Sequence, residues 1–483
     1  MIRQKWAGIQ LYYKELSLPF KASLWFFICN ILQKGFSLIS TPVFVRLMSS
    51  AQYGKCMTYY SWYELLYVFA TLNMSSVSYN NILVKYPDDQ SKTTLSLMSL
   101  SGFTTIFLFM IYICSFGFWN QTFRITTPMM CVMFLQFFFE PAFMFWAVRE
   151  RYSYSYKKLT AVTLSMSALT LVAGVCSVMI FPQKYEARVA SGVFISVVVG
   201  IVIYAKLVKE AGLQYITKYW KFALKISVPL IPHYLAMKIL NQADRVMISR
   251  MVGESETAIY SLAYTLSMIM TMLTNAINNT LVPFTYKGIK SGDCKSVRKT
   301  VNMMIVLVLV FCSFMMLTGP ELIKIFATKE YLDAIWIIPP ISLSVFFMFG
   351  YVIFSTVEFY YEKTSFAVAA SGMAAVINVI LNYIFIKSYG YYAAGYTTVL
   401  GYILLMAAHY VFFAGIVKKH PEIKGIYNIR LIFWVSAAGI GVMLLSLFLY
   451  RYIMIRYMTM VIIFAAIVCA RGKIISLVKN MRR

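Results

Sequence analysis

Fourteen mostly apolar stretches of about 20 residues each run through the chain, and they constrain its fold more than any other feature. A membrane-crossing helix needs about that length, because the lipid interior offers no water to backbone N–H and C=O groups. The stretches lie near 22–45, 56–80, 94–118, 126–148, 159–181, 188–207, 223–248, 258–284, 300–320, 335–358, 365–387, 391–416, 429–450 and 453–470. The expected fold class is therefore an all-α polytopic membrane protein with 14 transmembrane helices. Composition agrees: AVILMFWYC make up 60% of the 483 residues and DEKR 13%, against about 45–50% and about 25% in soluble domains.

The charges predict orientation. Lys and Arg number 44 against 18 Asp and Glu, a net charge of +26. Nucleic-acid binders gather such charge on one hydrophilic face, whereas here it punctuates apolar segments, so no nucleic-acid partner is expected. When each cation at a span end is counted with its adjoining loop, 30 of the 44 fall in the two termini and the even-numbered loops. The odd-numbered loops hold 11, and Lys34, Lys238 and Arg245 lie inside spans. Basic loops stay cytoplasmic, so both termini are placed inside.

Several chemistries are excluded. The eight cysteines (Cys29, Cys56, Cys114, Cys131, Cys176, Cys294, Cys312 and Cys469) show no C-x-x-C spacing, and the three histidines are dispersed. Neither a disulfide framework nor a metal or cofactor site is expected. No loop is long enough for a soluble catalytic domain, and no G-x-x-x-x-G-K-[ST] phosphate loop occurs. The chain is not expected to be an enzyme, nor to drive transport with ATP on its own.

The expected organisation follows the spans. Residues 1–21 form a basic amphipathic segment at the cytoplasmic interface, better read as an interfacial helix than as a signal peptide. Residues 22–208 make an N-terminal lobe of spans 1–6, and 209–222 an amphipathic linker. Residues 223–418 make a C-terminal lobe of spans 7–12. A cytoplasmic loop over 419–428 precedes 429–483, which holds the last two spans and a basic tail. Spans 1–2 and 7–8 resemble each other at a constant offset of 204 residues, pairing Lys34 with Lys238, Arg46 with Arg250, Gly54 with Ala258 and Tyr60 with Tyr264. Both copies run the same way, so the two lobes are related by an axis along the membrane normal, and a site is expected at their interface.

Polar residues in these spans keep steps of three and four, which hold them on one helix face. Span 1 carries Asn30, Lys34, Ser37 and Thr41; span 7 carries Tyr234, Lys238, Asn241 and Arg245 at the same spacing. Span 2 adds Tyr60, Glu64, Tyr67, Thr71 and Ser75, and span 8 adds Tyr264, Thr271, Asn275 and Asn279. A lysine at mid-membrane costs roughly 2.5–3.5 kcal/mol on insertion scales. Lys34 and Lys238 each need water, an acid or a ligand: either they form a cationic cavity for an anionic substrate, or they pair with Glu64 or Glu140. Arg245 either joins them or snorkels to the outer face, one turn away. Glu64, Glu140, Asp244 and Glu358 are candidates for proton or cation coupling, or else partners of inward lysines. The prolines Pro42, Pro141, Pro229, Pro232, Pro283, Pro339 and Pro340 fall within spans and are expected to bend them.

Three segments carry a resemblance that extends over essentially the whole chain: NILQKGFSLISTPVFVRLMSSAQYGK, NQADRVMISRMVGESETAIYSLAY and NNTLVPFTYKGIKSGD. The chain resembles the Wzx-like polysaccharide-unit flippases of the multidrug/oligosaccharidyl-lipid/polysaccharide (MOP) exporter superfamily. The resemblance implies a multi-pass protein of the bacterial inner membrane. Its cargo would be an undecaprenyl-diphosphate-linked oligosaccharide repeat, turned from the cytoplasmic to the periplasmic leaflet for O-antigen or capsule synthesis. It also implies alternating access with cation counter-transport, and as partners membrane lipids, a polysaccharide polymerase and a chain-length regulator. Relatives that handle lipid diphosphates often present several arginines, whereas the central pair here is lysine, which holds phosphate as a point charge without a bidentate fork. Two other readings compete. A drug or metabolite exporter of the same superfamily should have an acidic cavity, and this one is basic; a membrane-embedded glycosyltransferase or polymerase needs an outer loop longer than any here.

Overall fold

A computed structural model describes residues 17–76, 78–212, 217–363, 365–463, 465 and 472. Every regular element among the described residues is helical. The helices are α1 (Leu18–Leu47), α2 (Ser50–Thr71), α3 (Tyr79–Lys85), α4 (Gln90–Cys114), α5 (Phe116–Phe123), α6 (Thr127–Tyr152), α7 (Tyr156–Ile180), α8 (Lys184–Ala211) and α9 (Thr217–Ser227). They continue with α10 (Ile231–Met251), α11 (Glu254–Ser267), α12 (Ile269–Ser291), α13 (Cys294–Phe326), α14 (Ile338–Tyr360), α15 (Ser365–Tyr389), α16 (Tyr392–Lys419) and α17 (Ile429–Leu449). A last apolar helix, α18, covers Ile453–Ile463.

Among the described residues, 12 segments are long and apolar enough to cross a membrane. The other two of the fourteen expected spans differ for separate reasons. Helix α2 has the length, at 22 residues, but its tyrosines, serines and Glu64 lower its hydropathy. The segment expected over 453–470 is described mainly as α18; most of the rest, and most of the basic tail, lies outside the described residues. So do residues 1–16 of the expected interfacial segment.

Two local expectations are corrected. The span placed at 56–80 is not continuous: α2 ends at Thr71, where Leu72 (φ 51°) and Asn73 (φ 47°) take the left-handed conformation that ends a right-handed helix. The residues that follow, among them Asn73, Ser75, Ser76, Ser78 and Asn80, are largely polar, and only the interspersed Leu72, Met74 and Val77 keep the stretch inside the expected span. Pro339 and Pro340 do not bend a span either. They occupy the first turn of α14, where the missing N–H has no partner to lose. Pro229 sits in a 3-10 turn over Val228–Leu230 and Pro232 in the first turn of α10, while Pro42, Pro141 and Pro283 are helix-internal.

The helix boundaries keep the offset of the sequence repeat. Helix α1 ends at Leu47 and α10 at Met251; α2 begins at Ser50 and α11 at Glu254. Contacts divide the described chain into two units, one within Met1–Met48 and Trp62–Tyr234, the other within Ser49–Ser61 and Leu235–Arg483.

In the first unit, Met74, Tyr79, Leu97, Phe145, Trp146, Leu207 and Ala223 build a buried core. Helix α9 docks on this unit by a polar seam: Trp220 Nε1 donates to the Ser96 carbonyl at 2.6 Å and the Tyr219 hydroxyl to Asp89 Oδ2 at 2.7 Å. Its buried face is Tyr219, Ala223 and Ser227, and Lys218, Lys221 and Lys225 are exposed. In the second unit, Val301, Ile305, Phe346, Phe349, Phe354, Tyr402 and Ile432 form the core among α13, α14, α16 and α17. Asp293 caps α13, accepting the Ser296 N–H at 3.1 Å, and hydrogen bonds from the Ser296 side chain and backbone hold its carboxyl below the usual range.

Candidate functional site

In the second unit α10 presents two polar faces, because successive residues on a helix stand about 100° apart. Asp244 is fully buried. A carboxylate there is tolerated only with hydrogen bonds to replace water, and it receives three. The Tyr260 hydroxyl donates at 2.5 Å, the Thr398 hydroxyl at 2.7 Å and the Asn382 amide at 2.6 Å. Asn382 also donates to Asn378 Oδ1 at 3.2 Å and accepts from Thr397. Helices α10, α11, α15 and α16 thus converge on one buried acid that accepts from two hydroxyls and an amide.

Arg245 faces elsewhere. Its Nη1 donates to the Asn241 carbonyl at 3.0 Å and to Gln242 Oε1 at 2.7 Å, and its guanidinium lies 4.2 Å over the Tyr264 ring. Tyr264 donates to Asn241 Oδ1 at 2.9 Å. Arg245 is buried at 8% exposure, so it does not snorkel. The three predicted residues Asn241, Arg245 and Tyr264 therefore form one cluster, and Asp244 belongs to a different one. Lys238, on the same helix, is half-buried.

In the first unit Asn30, Lys34 and Ser37 are exposed on α1, and Thr41 is buried with its hydroxyl on the Ser37 carbonyl at 3.0 Å. Among the described residues Lys34 forms no ion pair with Glu64 or Glu140. Glu140 is held instead by Tyr63 and Gln136, each donating to Oε2 at 2.7 Å. Tyr67 is buried beside Tyr63, and among the described residues its hydroxyl has no hydrogen-bond partner. Tyr60 and Glu64 are half-buried on α2, and Asn275 is exposed on α12.

Glu358 has a partner that the dispersed histidines do not suggest. His409 Nδ1 lies 2.9 Å from both its carboxylate oxygens, both residues are buried, and Tyr351 stacks on the imidazole. Among the described residues no three His, Cys, Asp or Glu side chains gather to hold a metal ion. Tyr260, Asn382 and Thr398 look in the sequence like ordinary polar residues of apolar helices, and nothing there singles them out. Arg188, the first residue of the sixth expected span and counted in the charge tally with the outer loop, lies one turn inside α8.

With this geometry in view, the chain matches the family described as "Polysaccharide biosynthesis protein" over residues 20–288, and the MatE family over residues 229–384. A Haemophilus influenzae protein, "Lsg locus putative protein 1", is 26% identical over 69 residues. That stretch is 14% of this chain and 17% of the relative, so the chain matches well under two thirds of that protein's length. Solved structures share the fold, three of them as follows. The lipid II flippase MurJ in an inward closed conformation has a TM-score of 0.64 at 15% identity, covering 92% of this chain and 99% of MurJ. An inward-facing multidrug resistance MATE transporter of the MOP superfamily has 0.59 at 12% identity, covering 80% and 95% of the two chains. A MOP superfamily transporter from Pyrococcus furiosus, described by a reversed polarity of its binding pocket, has 0.53 at 12% identity, covering 83% and 96%.

Proposed function

The chain belongs to the polysaccharide biosynthesis protein family, and from that premise we propose that it is a flippase for lipid-linked oligosaccharides. It carries undecaprenyl-diphosphate-linked repeat units from the cytoplasmic to the periplasmic leaflet of the bacterial inner membrane, by alternating access, for O-antigen or capsule synthesis. The observation that carries this reading is Lys34: a cation in the middle of a 30-residue apolar helix, exposed and, among the described residues, in no ion pair with Glu64 or Glu140. Such a charge is costly in lipid unless water or an anion meets it, and Lys238 repeats it at the offset of 204. A lipid diphosphate is the anion the family context supplies. Arg245 adds a third cation, and Asn30, Ser37, Thr41, Tyr60, Tyr67, Asn241, Tyr264 and Asn275 supply groups suited to a glycan.

Counter-transport of a cation provides the drive, and Asp244 is the best placed of the four acids to couple it. Its carboxylate is buried among the Tyr260 and Thr398 hydroxyls and the Asn382 amide, an environment where a proton changes the local charge balance most. Glu140 and Glu64 are less enclosed, and Glu358 is engaged by His409. A second reading, export of a soluble metabolite, is favoured only by the MatE match over residues 229–384.

The test is complementation in the bacterium that carries the gene. Deletion is expected to abolish the surface glycan and to trap lipid-linked units in the cytoplasmic leaflet. Wild-type protein restores the glycan; Lys34→Gln and Lys238→Gln, at equal membrane levels, do not. Full restoration by both variants overturns the lysine site. Lipid-linked units that reach the periplasmic leaflet in the deletion strain overturn the flippase.

A further inference from the structure

Four helices of the first unit line one pocket of about 400 Å3, the size of a small-ligand site. Helix α1 contributes Ser37 and Ser40, α6 contributes Glu140, α7 contributes Thr163 and Ser167, and α8 contributes Arg188. Ser37 and Ser40, and Thr163 and Ser167, stand three and four residues apart, so each pair shares one helix face. Ser40 and Ser167 donate to the Ser37 and Thr163 carbonyls of their own helices at 2.7 and 2.9 Å, which leaves their oxygen lone pairs to accept from a ligand.

Arg188 is the unusual member. Among the described residues no carboxylate pairs with it, and its Nη1 is buried without a hydrogen-bond partner. The side chain is nonetheless held in place, with its guanidinium carbon 4.1 Å over the Phe44 ring. Two glycines make that seat. A Cβ on Gly174 would come within 2.9 Å of Phe44 Cζ and 3.2 Å of Arg188 Nη1, and a Cβ on Gly192 within 3.4 Å of the same nitrogen. The acid in the pocket does not neutralise it, because Glu140 is fixed by Tyr63 and Gln136. A guanidinium seated by aromatic and backbone surfaces, and left without an anion, is arranged to receive one.

We infer that this pocket is a subsite for a carboxylate-bearing sugar, such as a hexuronic acid, with the carboxylate on Arg188 and the ring hydroxyls on the Ser and Thr groups and on Glu140. For the identity of the cargo this rests on the flippase reading; the pocket's chemistry does not. A sugar acid presents one planar anion matched to the guanidinium fork and several hydroxyls, the inventory that these walls complement. Arg188 is thereby a specificity-determining residue, selecting repeat units with an acidic sugar over neutral ones.

The test uses the purified full-length chain in nanodiscs, titrated with glucuronate, glucose and inorganic pyrophosphate, and followed by thermal shift and ligand-observed NMR. Glucuronate is expected to bind better than glucose. Arg188→Gln should lose about 10- to 100-fold in glucuronate affinity with glucose unchanged, the scale of one charged hydrogen-bonding partner. Arg188→Lys should recover part of it, keeping the charge without the fork. If Arg188→Gln fails to fold, the Lys variant and Gly174→Ala, which crowds the guanidinium, carry the comparison. Equal binding of glucuronate and glucose by the wild type overturns the proposal. Arg188-dependent binding of pyrophosphate in place of glucuronate also overturns it, assigning the guanidinium to the carrier's diphosphate. Failed complementation with glucuronate binding intact removes the flippase reading and leaves the subsite; normal complementation with no glucuronate preference does the reverse.

Discussion

Helices α1 and α10 begin as copies and end as opposites. They share a spacing of polar residues and an end point at the offset of 204, yet their surroundings diverge. On α10, Asp244 and Arg245 are buried and each is held by hydrogen bonds from or to neighbouring groups. Their equivalents on α1 are Ser40 and Thr41, both of which bond back to the Ser37 carbonyl and hold no charge. The first unit keeps its charge exposed on Lys34 and seated but unpaired on Arg188. One copy of the scaffold holds Asp244 and Arg245 among hydrogen-bond partners, and the other has no charge at the equivalent positions. A duplicated helix can diverge in this way because the apolar face that holds it in the membrane is independent of the polar face beside it.

The sharpest way to break that contrast is to remove the enclosed acid. Asp244→Ala leaves Tyr260, Thr398 and Asn382 without their shared acceptor and is expected to cost about 3–5 kcal/mol, read as loss of thermal stability in detergent. Ser40→Ala, the same change at the equivalent position, should stay within about 0.5 kcal/mol. Comparable losses from the two would end the idea that the units have specialised. Asp244→Asn retains most of the packing, so it should fold while abolishing ion-dependent transport in proteoliposomes.

The open cations come next. Lys34→Gln should lower transport by about 10-fold or more, the scale of one charge-assisted contact, while changing stability by less than about 0.5 kcal/mol because the side chain is exposed. A variant that loses stability together with activity would show Lys34 to be structural. A smaller effect is expected where the repeat itself differs. Gly54 packs against the Glu254 backbone, where an added Cβ would overlap the carbonyl, whereas its equivalent Ala258 is accommodated in the core. Gly54→Ala should therefore cost about 1–3 kcal/mol, and Ala258→Gly roughly 1 kcal/mol, compared by melting temperature. Asn275→Ala, at an exposed position, should change stability by less than about 0.5 kcal/mol and so marks the lower end of the scale.

Parts of the site are legible in the residues alone. Lys34, Lys238 and Arg245 stand out because charges in apolar stretches are rare, and Asn241, Arg245 and Tyr264 do meet. Other groups carry no such signal. His409 is one of three scattered histidines along the chain, and only the packing of α14 and α16 brings it onto Glu358. Arg188 sits within one turn of an expected span end, where hydropathy cannot separate a loop cation from one that turns into a pocket. The break at Leu72 and Asn73 does leave a signal, since Asn73 tolerates the left-handed conformation and Ser75, Ser76 and Ser78 follow it, but placing the span by length alone passes over it.

The sequence by itself determined that this is an all-helical membrane protein with a repeat at an offset of 204 residues. Segment length, apolar content and spacing are properties of the chain read in one dimension, and lipid admits few folds that satisfy them. Only the tertiary structure decided which polar groups share a site. Asp244 draws its partners from 138 and 154 residues away, at Asn382 and Thr398. Arg188 owes its seat to Phe44 and to two glycines on different helices. In a medium without water, a polar side chain's role follows from the helix face it meets, and that meeting is set by the packing of the whole bundle.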